Sequence, residues 1–288
     1  MKLVKKDKNN MKQRILSKKG FIIFFYIFLI GCFSLFIFPE IYEKQCKSRV
    51  YEELKKCLTE DVMLGNINII DVSMHKESDN VEHISYGVGA SGGIFYREGT
   101  IYYALTACHV VDDENNTEYI VIPYGEPTYK EYSRQKKNHT SLSGYYSQFS
   151  KGTILYYDEE YDLAVISFHS EKDLTVLNIS NTVPKFGNHI CTIGNPNGEK
   201  FNIAFGKVKS RENFVFDSLD GRIPVKTLKH NAYVASGSSG SVVLNNNMEI
   251  VGINIGGATD FLGRFKYGVM IPCDFIQKFL NQWKNNNK

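Results

Sequence analysis

Metal-binding patterns are missing from this 288-residue sequence. Its six cysteines and seven histidines are scattered, and no group of them has the spacing of a metal site. We therefore expect neither a metal nor a cofactor. Cys108, Cys191 and Cys273 lie in apolar strand-like or strand-end segments, where a cysteine is commonly a buried thiol.

A surplus of basic charge is also missing from most of the chain. The formal net charge is +3, but eight Lys and Arg residues and only one Asp fall within the first twenty positions. The remaining residues carry 26 basic and 30 acidic groups. A nucleic-acid partner is therefore not expected, because it would need a basic patch on the folded domain.

Charged residues are absent from one long stretch, residues 21–38, which is almost wholly apolar. A helix needs about 20 apolar residues to cross the hydrocarbon layer, with a lower limit of roughly 17. Lys18 and Lys19 precede the run, so the positive-inside rule keeps residues 1–20, a basic tail, in the cytoplasm. We predict a single-pass transmembrane signal anchor over residues 21–39 and an extracytoplasmic domain after it.

Two other interpretations of the apolar run stay open. A cleaved signal peptide lacks support because no Ala-x-Ala-like site follows the run. Lipoprotein processing at Cys32 fits residues 29–32 loosely, but the residues after the cysteine are apolar.

A helical linker is predicted for residues 40–63, where Val50, Leu54 and Cys57 keep helical spacing. Cys46 and Cys57 would lie about 16 Å apart along one helix face, too far to bond each other. The segment is either a juxtamembrane spacer or a seam between subunits that one of these cysteines bridges.

Short β-rich runs separated by Gly, Asn and Asp turns fill residues 67–271, which indicates an all-β barrel or sandwich. Residues 274–283 predict a closing helix with an apolar stripe formed by Phe275, Phe279, Leu280 and Trp283. Residues 124–152 are polar and without periodicity, so we interpret them as an insertion that gates, binds or is disordered.

The glycine-rich segment at residues 235–244 contains a candidate nucleophile, Ser239, two residues after Gly237. A serine hydroxyl needs a neighbouring base, and backbone N–H groups aimed at the developing oxyanion. Alone, the segment is equally typical of a turn between strands.

Two upstream segments supply candidate partners for Ser239. His109 follows an apolar strand that ends in Thr-Ala, and Asp162 stands at the mouth of another apolar strand. Imidazole takes and returns a proton near neutral pH, and a carboxylate fixes its tautomer. The chain order His, Asp, Ser is the chymotrypsin order.

At these residues the chain resembles the trypsin-like serine peptidases and, within them, the bacterial HtrA/Deg-like branch. The histidine motif Thr-x-x-His-Val matches residues 106–110, and Asp-Leu-Ala-Val matches residues 162–165. Gly237, Ser239 and Gly240 match the serine motif. Residues 193–198, 251–254 and 268–276 look like non-catalytic stretches of the family.

The resemblance covers roughly residues 84–283 and implies a fold and an activity. It implies two packed six-stranded, chymotrypsin-like β-barrels with a C-terminal helix, together forming a peptidase domain over residues 64–288. The implied activity is hydrolysis of peptide bonds in extracytoplasmic proteins or peptides. Because the closing helix is the last predicted element, no PDZ domain is expected. A homo-oligomer is expected by analogy, since relatives are often trimers.

The resemblance assigns roles to individual residues. Ser239 is the nucleophile, His109 the base and then the acid, and Asp162 orients His109. The amides of Gly237 and Ser239 hold the oxyanion, and Ser238 shapes the loop. Ser238 also stands where trypsin-type zymogens have an aspartate, so activation by N-terminal cleavage is not expected. The alternative function is a catalytically silent binding or chaperone-like module that has kept the fold.

The primary specificity pocket is expected beside the serine loop. Tyr233, six residues before Ser239, replaces the aspartate of trypsin-type enzymes, which argues against Lys or Arg specificity. An apolar wall from Tyr233, Val234 and Ile255 would suit small or medium aliphatic side chains. The predicted substrate-binding residues are Tyr233, Val234, Ile253, Asn254, Ile255 and Gly256.

Overall fold

A computed structural model describes residues 51–76, 82–87, 89–111, 118–135, 141–198, 201–210, 214–218 and 221–286. Residues 53–288 belong to one compact unit. The basic tail, the predicted signal anchor and Cys46 lie outside the described residues. Within the described ranges, no helix combines the length and the apolar character needed to cross a bilayer.

The predicted helical linker is interrupted before its end. Residues 51–57 are helical, and a separate helix α1 spans Glu60–Met63. Thr59 adopts an extended conformation between them (φ −80°, ψ 167°) and so begins a new helix. Leu54 and Met63 are buried whereas Cys57 is exposed. The last turns of the linker are therefore anchored in the core of the compact unit.

The first sheet consists of seven antiparallel strands in the order β2-β1-β3-β4-β7-β6-β5. Pairing of β1 with β5 closes six of them into a barrel and leaves β2 as an added strand. The strands are β1 (Asn66–Lys76), β2 (Glu82–Tyr86), β3 (Ala90–Glu98), β4 (Ile101–Thr106), β5 (Glu118–Pro123), β6 (Ser150–Asp158) and β7 (Leu163–His169).

The second sheet has the order β10-β11-β14-β13-β12-β8-β9. A bridge between Val208, after β9, and His230, at the end of β11, closes six strands into a second barrel with β10 as the added strand. The strands are β8 (His189–Gly194), β9 (Asn202–Lys207), β10 (Phe214–Ser218), β11 (Gly221–His230), β12 (Val242–Leu244), β13 (Ile250–Thr259) and β14 (Phe265–Pro272).

The last described element is helix α4 (Cys273–Asn286). The spacing of its apolar residues predicts a helix at this position. Ile276, Phe279, Leu280 and Trp283 are buried, and Trp283 meets Phe95 of the first barrel edge-on at 5.9 Å. The helix thus reaches from the second barrel to the first. The predicted all-β fold of two barrels with a C-terminal helix is confirmed.

The insertion at residues 124–152 contains two short helices, α2 (Tyr129–Gln135) and α3 (Leu142–Tyr146). Alternate residues of β1 and β5 face away from the barrel interior, and there Ile70, Val72, Ile120 and Ile122 form a cluster with Tyr145. The Tyr145 hydroxyl donates to the Pro127 carbonyl (2.6 Å). The insertion therefore covers an apolar outer face that the barrel alone would expose.

A buried polar network lies inside the second barrel. Asn254 on β13 donates from Nδ2 to the hydroxyls of Thr192 and Ser241, each at 2.7 Å. Its Oδ1 is left as the acceptor, so Nε2–H of the fully buried His230 donates to it at 2.7 Å. The network ties β8, β11 and β13 to Ser241, the residue immediately before β12.

The buried position of His230 changes its protonation. Burial lowers the pKa of His230 from 6.5 to about 4, although the hydrogen bond to Asn254 opposes the shift. The folded protein therefore binds this proton only near pH 4, whereas the unfolded chain binds it near pH 6.5. Between these values the unfolded state holds more protons, so stability decreases as the pH falls.

The variant His230→Gln tests this acid sensitivity, because a glutamine amide can donate to Asn254 but does not titrate. Between pH 6.5 and 4 we expect the wild type to lose about 3 kcal/mol more unfolding free energy than the variant. Urea denaturation across this pH range measures the difference. Parallel stability curves for the two proteins would contradict it.

Candidate active site

His109 lies directly after the first-barrel strand β4. The strand ends at Thr106, Ala107 stays extended, and Cys108–Val110 form a 3-10 turn. The His109 backbone N–H donates to Asp162 Oδ1 at 3.0 Å. Its side chain keeps 34% of its surface exposed. The turn therefore holds the imidazole at the protein surface against one carboxylate.

Asp162 is buried immediately before strand β7 and has a left-handed backbone (φ 48°). Such a conformation is uncommon outside glycine, and Asp is among the residues that tolerate it. Its Oδ1 and Oδ2 lie 3.0 and 2.9 Å from His109 Nδ1. A carboxylate only accepts, so Nδ1 carries the proton and Nε2 is the acceptor of the ring.

This acceptor of His109 faces Ser239. Nε2 lies 2.8 Å from Ser239 Oγ, so the serine hydroxyl donates to the imidazole. The three residues predicted from separate motifs thus form one hydrogen-bonded chain, from carboxylate to imidazole to hydroxyl. Chemically, the imidazole can remove the serine proton, and the carboxylate stabilises the resulting positive charge.

Two glycines shape the loop of residues 235–241, which we call the Ser239 loop. Gly237 has φ +88°, and a Cβ there would lie 2.4 Å from the Asn195 carbonyl oxygen. Gly240 has φ +80°, and a Cβ there would lie 2.1 Å from the Ser91 carbonyl oxygen. Both positions combine a left-handed backbone with close contact to other backbone, so only glycine fits.

The backbone N–H groups of the Ser239 loop divide into used and unused donors. Ser238 N–H donates to the Ala235 carbonyl at 2.9 Å, and Ala235 N–H donates to Ser238 Oγ at 3.1 Å. Among the described residues, no acceptor bonds the N–H of Gly237 or Ser239. Of the three predicted oxyanion residues, Gly237 and Ser239 present donors, and Ser238 closes the turn that positions them.

Cys108, next to His109 in sequence, is buried. Burial raises the pKa of its thiol to about 12, and the nearby Asp162 charge adds to the shift. A thiol that stays protonated at neutral pH is a poor nucleophile. Ser239 is therefore the better candidate at this site.

A cavity of about 220 Å³ opens beside Ser239. Val234, Asn254 and Gly256 of the predicted pocket line it, together with four residues of the Ser239 loop: Ala235, Ser236, Ser238 and Ser239. Residues outside both the predicted pocket and this loop complete the lining: Gly257, Ala258, Thr259 and Phe265. They lie on the β13–β14 hairpin, where Thr259 pairs with Phe265. Only the strand register places them at the cavity.

The other predicted pocket residues lie elsewhere. Tyr233 is 45% exposed and packs edge-on against Phe265 at 5.3 Å. Ile253 and Ile255 are buried in the hydrophobic core. The apolar wall therefore comes from Val234 and Phe265, and Tyr233 supports Phe265 from outside.

The described side chains that line the cavity are uncharged. Its described lining contains no Lys, Arg, Asp, Glu or His. The one side-chain amide, that of Asn254, already uses its oxygen and both N–H bonds within the buried network. In the described part of the chain, no group of three or more His, Cys, Asp or Glu residues could hold a metal ion.

Comparisons with solved structures agree with this fold. An inactive form of Rv3671c from M. tuberculosis H37Rv, carrying a serine-to-alanine mutation, is similar with a TM-score of 0.53 and 15% identity over 79% of this chain and 90% of that one. A serine endoprotease from Yersinia pestis gives a TM-score of 0.53 and 20% identity over 83% and 68%. At such identities these likenesses concern the fold alone.

Curated relatives share part of the sequence. A protein of Buchnera aphidicola subsp. Baizongia pistaciae, described as "Probable periplasmic serine endoprotease DegP-like", is 26% identical over 128 residues. One of Hahella chejuensis with the same description is 30% identical over 129 residues. The matches cover 43% and 44% of this chain but only 26% of each relative. This chain thus matches about a quarter of their length.

A family model gives the broadest sequence match. The model described as "Trypsin-like peptidase domain" matches residues 90–253, which include His109, Asp162 and Ser239. This span is more than half of the chain. The protein therefore belongs to the family of trypsin-like peptidase domains.

Proposed function

We propose that this protein is a serine endopeptidase that cleaves proteins or peptides through an acyl-enzyme. The main support is the continuous chain of contacts from Asp162 through His109 to Ser239, with distances of 2.8–3.0 Å. Family membership and the DegP-like relatives support the same activity.

The geometry leads to a stepwise mechanism. Ser239 Oγ attacks the scissile carbonyl carbon while His109 Nε2 takes its proton, and Asp162 stabilises the imidazolium. The Gly237 and Ser239 amides donate to the carbonyl oxygen as it becomes negative. Collapse releases the amine, which receives the proton from His109. Water then attacks the acyl-Ser239 ester with His109 again as base, which frees the acid and restores Ser239.

A fluorophosphonate probe tests Ser239 as the nucleophile. The wild type should become covalently labelled, and Ser239→Ala should not. Ser236→Ala is the matched control, because it removes an exposed serine of the same loop and should leave labelling intact.

Asp162→Asn tests the role of the carboxylate, because asparagine also tolerates the left-handed backbone. Its kcat for a peptide substrate should be lower by roughly 10⁴-fold, since the imidazole tautomer is no longer fixed.

The catalytically silent alternative makes the opposite prediction. A binding module that has kept the fold would give no labelling and no peptide cleavage in folded wild-type protein, and Ser239→Ala would change neither.

We further propose that the cavity beside Ser239 accepts an uncharged, small or medium aliphatic side chain immediately before the scissile bond. Its volume of about 220 Å³, its apolar Val234 and Phe265 and its uncharged described lining support this preference. A basic or acidic side chain would lose its hydration there without gaining an ion pair.

Cleavage of a peptide library tests the preference. Wild type should favour Ala, Val, Ile or Leu before the cut over Lys, Arg, Asp and Glu. Val234→Ala should enlarge the cavity and shift the preference toward larger apolar residues by about 10-fold, roughly one to two methylene groups of binding energy. The control Asn188→Ala, in a separate cavity lined in part by Asn245–Asn247, should leave the preference unchanged.

Membrane anchoring through residues 21–39 belongs to the same proposal, with the peptidase domain on the extracytoplasmic side. The support is the uncharged apolar run with Lys18 and Lys19 before it. The homo-oligomer implied by the sequence resemblance is proposed with it.

Fractionation of cells that express the full chain tests the anchor. The intact 32.9 kDa protein should stay with membranes after alkaline extraction, and protease added outside the cytoplasmic membrane should digest the peptidase domain. Recovery of a shortened product by intact mass measurement would instead indicate a cleaved signal, and a lipid-modified Cys32 would indicate lipoprotein processing.

A further inference from the structure

Ser91, near the start of β3 in the first barrel, is fully buried against the Ser239 loop of the second barrel. Its backbone N–H donates to the Ser239 carbonyl at 2.9 Å. Its hydroxyl donates to the Gly237 carbonyl at 2.8 Å and accepts from the Asn195 backbone N–H at 3.0 Å. One residue therefore contacts both amino acids whose amides are unused.

The Ser91 hydroxyl holds one end of a particular peptide group. The Gly237–Ser238 peptide lies between the two unused amides. Its carbonyl accepts from Ser91 Oγ, and its N–H donates to the Ala235 carbonyl at 2.9 Å. With both ends held, the peptide plane is fixed, and the flanking Gly237 and Ser239 N–H groups keep their direction.

Glycine makes this restraint necessary. Gly237 lacks a Cβ and populates several backbone conformations at little cost. The left-handed value it adopts (φ +88°) is set by its surroundings and not by its own preference. Ser91 Oγ is the side-chain donor that holds its carbonyl.

Ser91 also links the loop to the strand that leads to the base. Thr106 Oγ1, three residues before His109, donates to the Ser91 carbonyl at 2.8 Å. The same Oγ1 lies 2.2 Å from where a Cβ on Gly240 would be. Movement of Ser91 would therefore disturb the oxyanion donors and the approach of β4 together.

We propose that Ser91 is a positioning residue for the oxyanion site: its hydroxyl fixes the Gly237–Ser238 peptide so that the Gly237 and Ser239 amides converge on the carbonyl oxygen of the substrate. This inference rests on the proposed peptidase function. It assigns Ser91 an effect on the transition state, which is distinct from filling space in the core.

The variant Ser91→Ala tests the role, because it removes the hydroxyl and leaves the backbone contact to Ser239. In the full chain in detergent, kcat for a peptide substrate with Val before the cut should fall about 10- to 100-fold. This decrease is no larger than the decrease in kcat caused by removing one oxyanion donor. KM should change less than 2-fold. Affinity for the matching peptide boronic acid should fall by the same factor as kcat/KM.

A second ligand separates transition-state effects from general damage. A peptide whose scissile amide is reduced to CH₂–NH lacks the carbonyl oxygen that the oxyanion site would bind, so Ser91→Ala should bind it as the wild type does. Ser91→Cys keeps a weak donor and should give an intermediate kcat. The control Ser180→Ala removes another buried serine hydroxyl, which accepts from Thr182 N–H, and should lose stability without losing kcat.

The outcomes distinguish this inference from the proposed function. If folded wild type neither cleaves peptides nor reacts with the fluorophosphonate, the peptidase function fails. If wild type is active and Ser91→Ala lowers only the melting temperature, or lowers binding of both ligands equally, Ser91 is structural and the positioning role is overturned.

Discussion

The hydrogen bond between His109 Nε2 and Ser239 Oγ depends on the packing of the two barrels. His109 and Asp162 come from the first barrel, whereas Ser239 lies in a loop of the second, 130 residues further along the chain than His109. At 2.8 Å the contact allows little relative movement of the barrels. Helix α4, whose Trp283 packs on Phe95, strengthens the same interface. The site is thus a property of the assembled domain.

Three residues at this interface have a left-handed backbone conformation. Asp162, Gly237 and Gly240 all have positive φ, and each stands within one residue of a strand start or two residues of the nucleophile. Such conformations persist only where neighbouring contacts impose them. Here the imposing contacts cross between elements: Asp162 to the His109 amide, and Ser91 to the carbonyls of Gly237 and Ser239.

Two polar side chains buried beside the site have their hydrogen-bonding groups paired. Asn254 uses its oxygen and both N–H bonds, and Ser91 uses its hydroxyl as donor and acceptor. Such paired groups rigidify a core, whereas the Gly237 and Ser239 amides are left for a ligand. The contrast between the satisfied surroundings and two unused donors is what makes the loop suited to an oxyanion.

Local patterns in the sequence were sufficient for much of the fold. Short β-rich runs separated by turn residues indicated an all-β fold over residues 67–271, and the apolar stripe of residues 274–283 indicated the closing helix. They did not indicate which strands pair, such as β2 with β1, β9 with β8 and β11 with β10, because pairing joins residues that a local pattern does not relate. The insertion at residues 124–152 appeared featureless for a similar reason: its short helices are held by Tyr145 and the outer faces of β1 and β5.

The sequence by itself determined the candidate catalytic residues, since His109, Asp162 and Ser239 each stand in a motif of a few consecutive residues. Only the tertiary structure decided which amides remain unused, which residues line the cavity and that Ser91 holds the loop. The lining moved from Tyr233 and Ile255 to Phe265 and its neighbours because strand register, not sequence distance, sets which side chains meet. Residues far apart in the chain are brought together by barrel closure, and no local pattern records that contact.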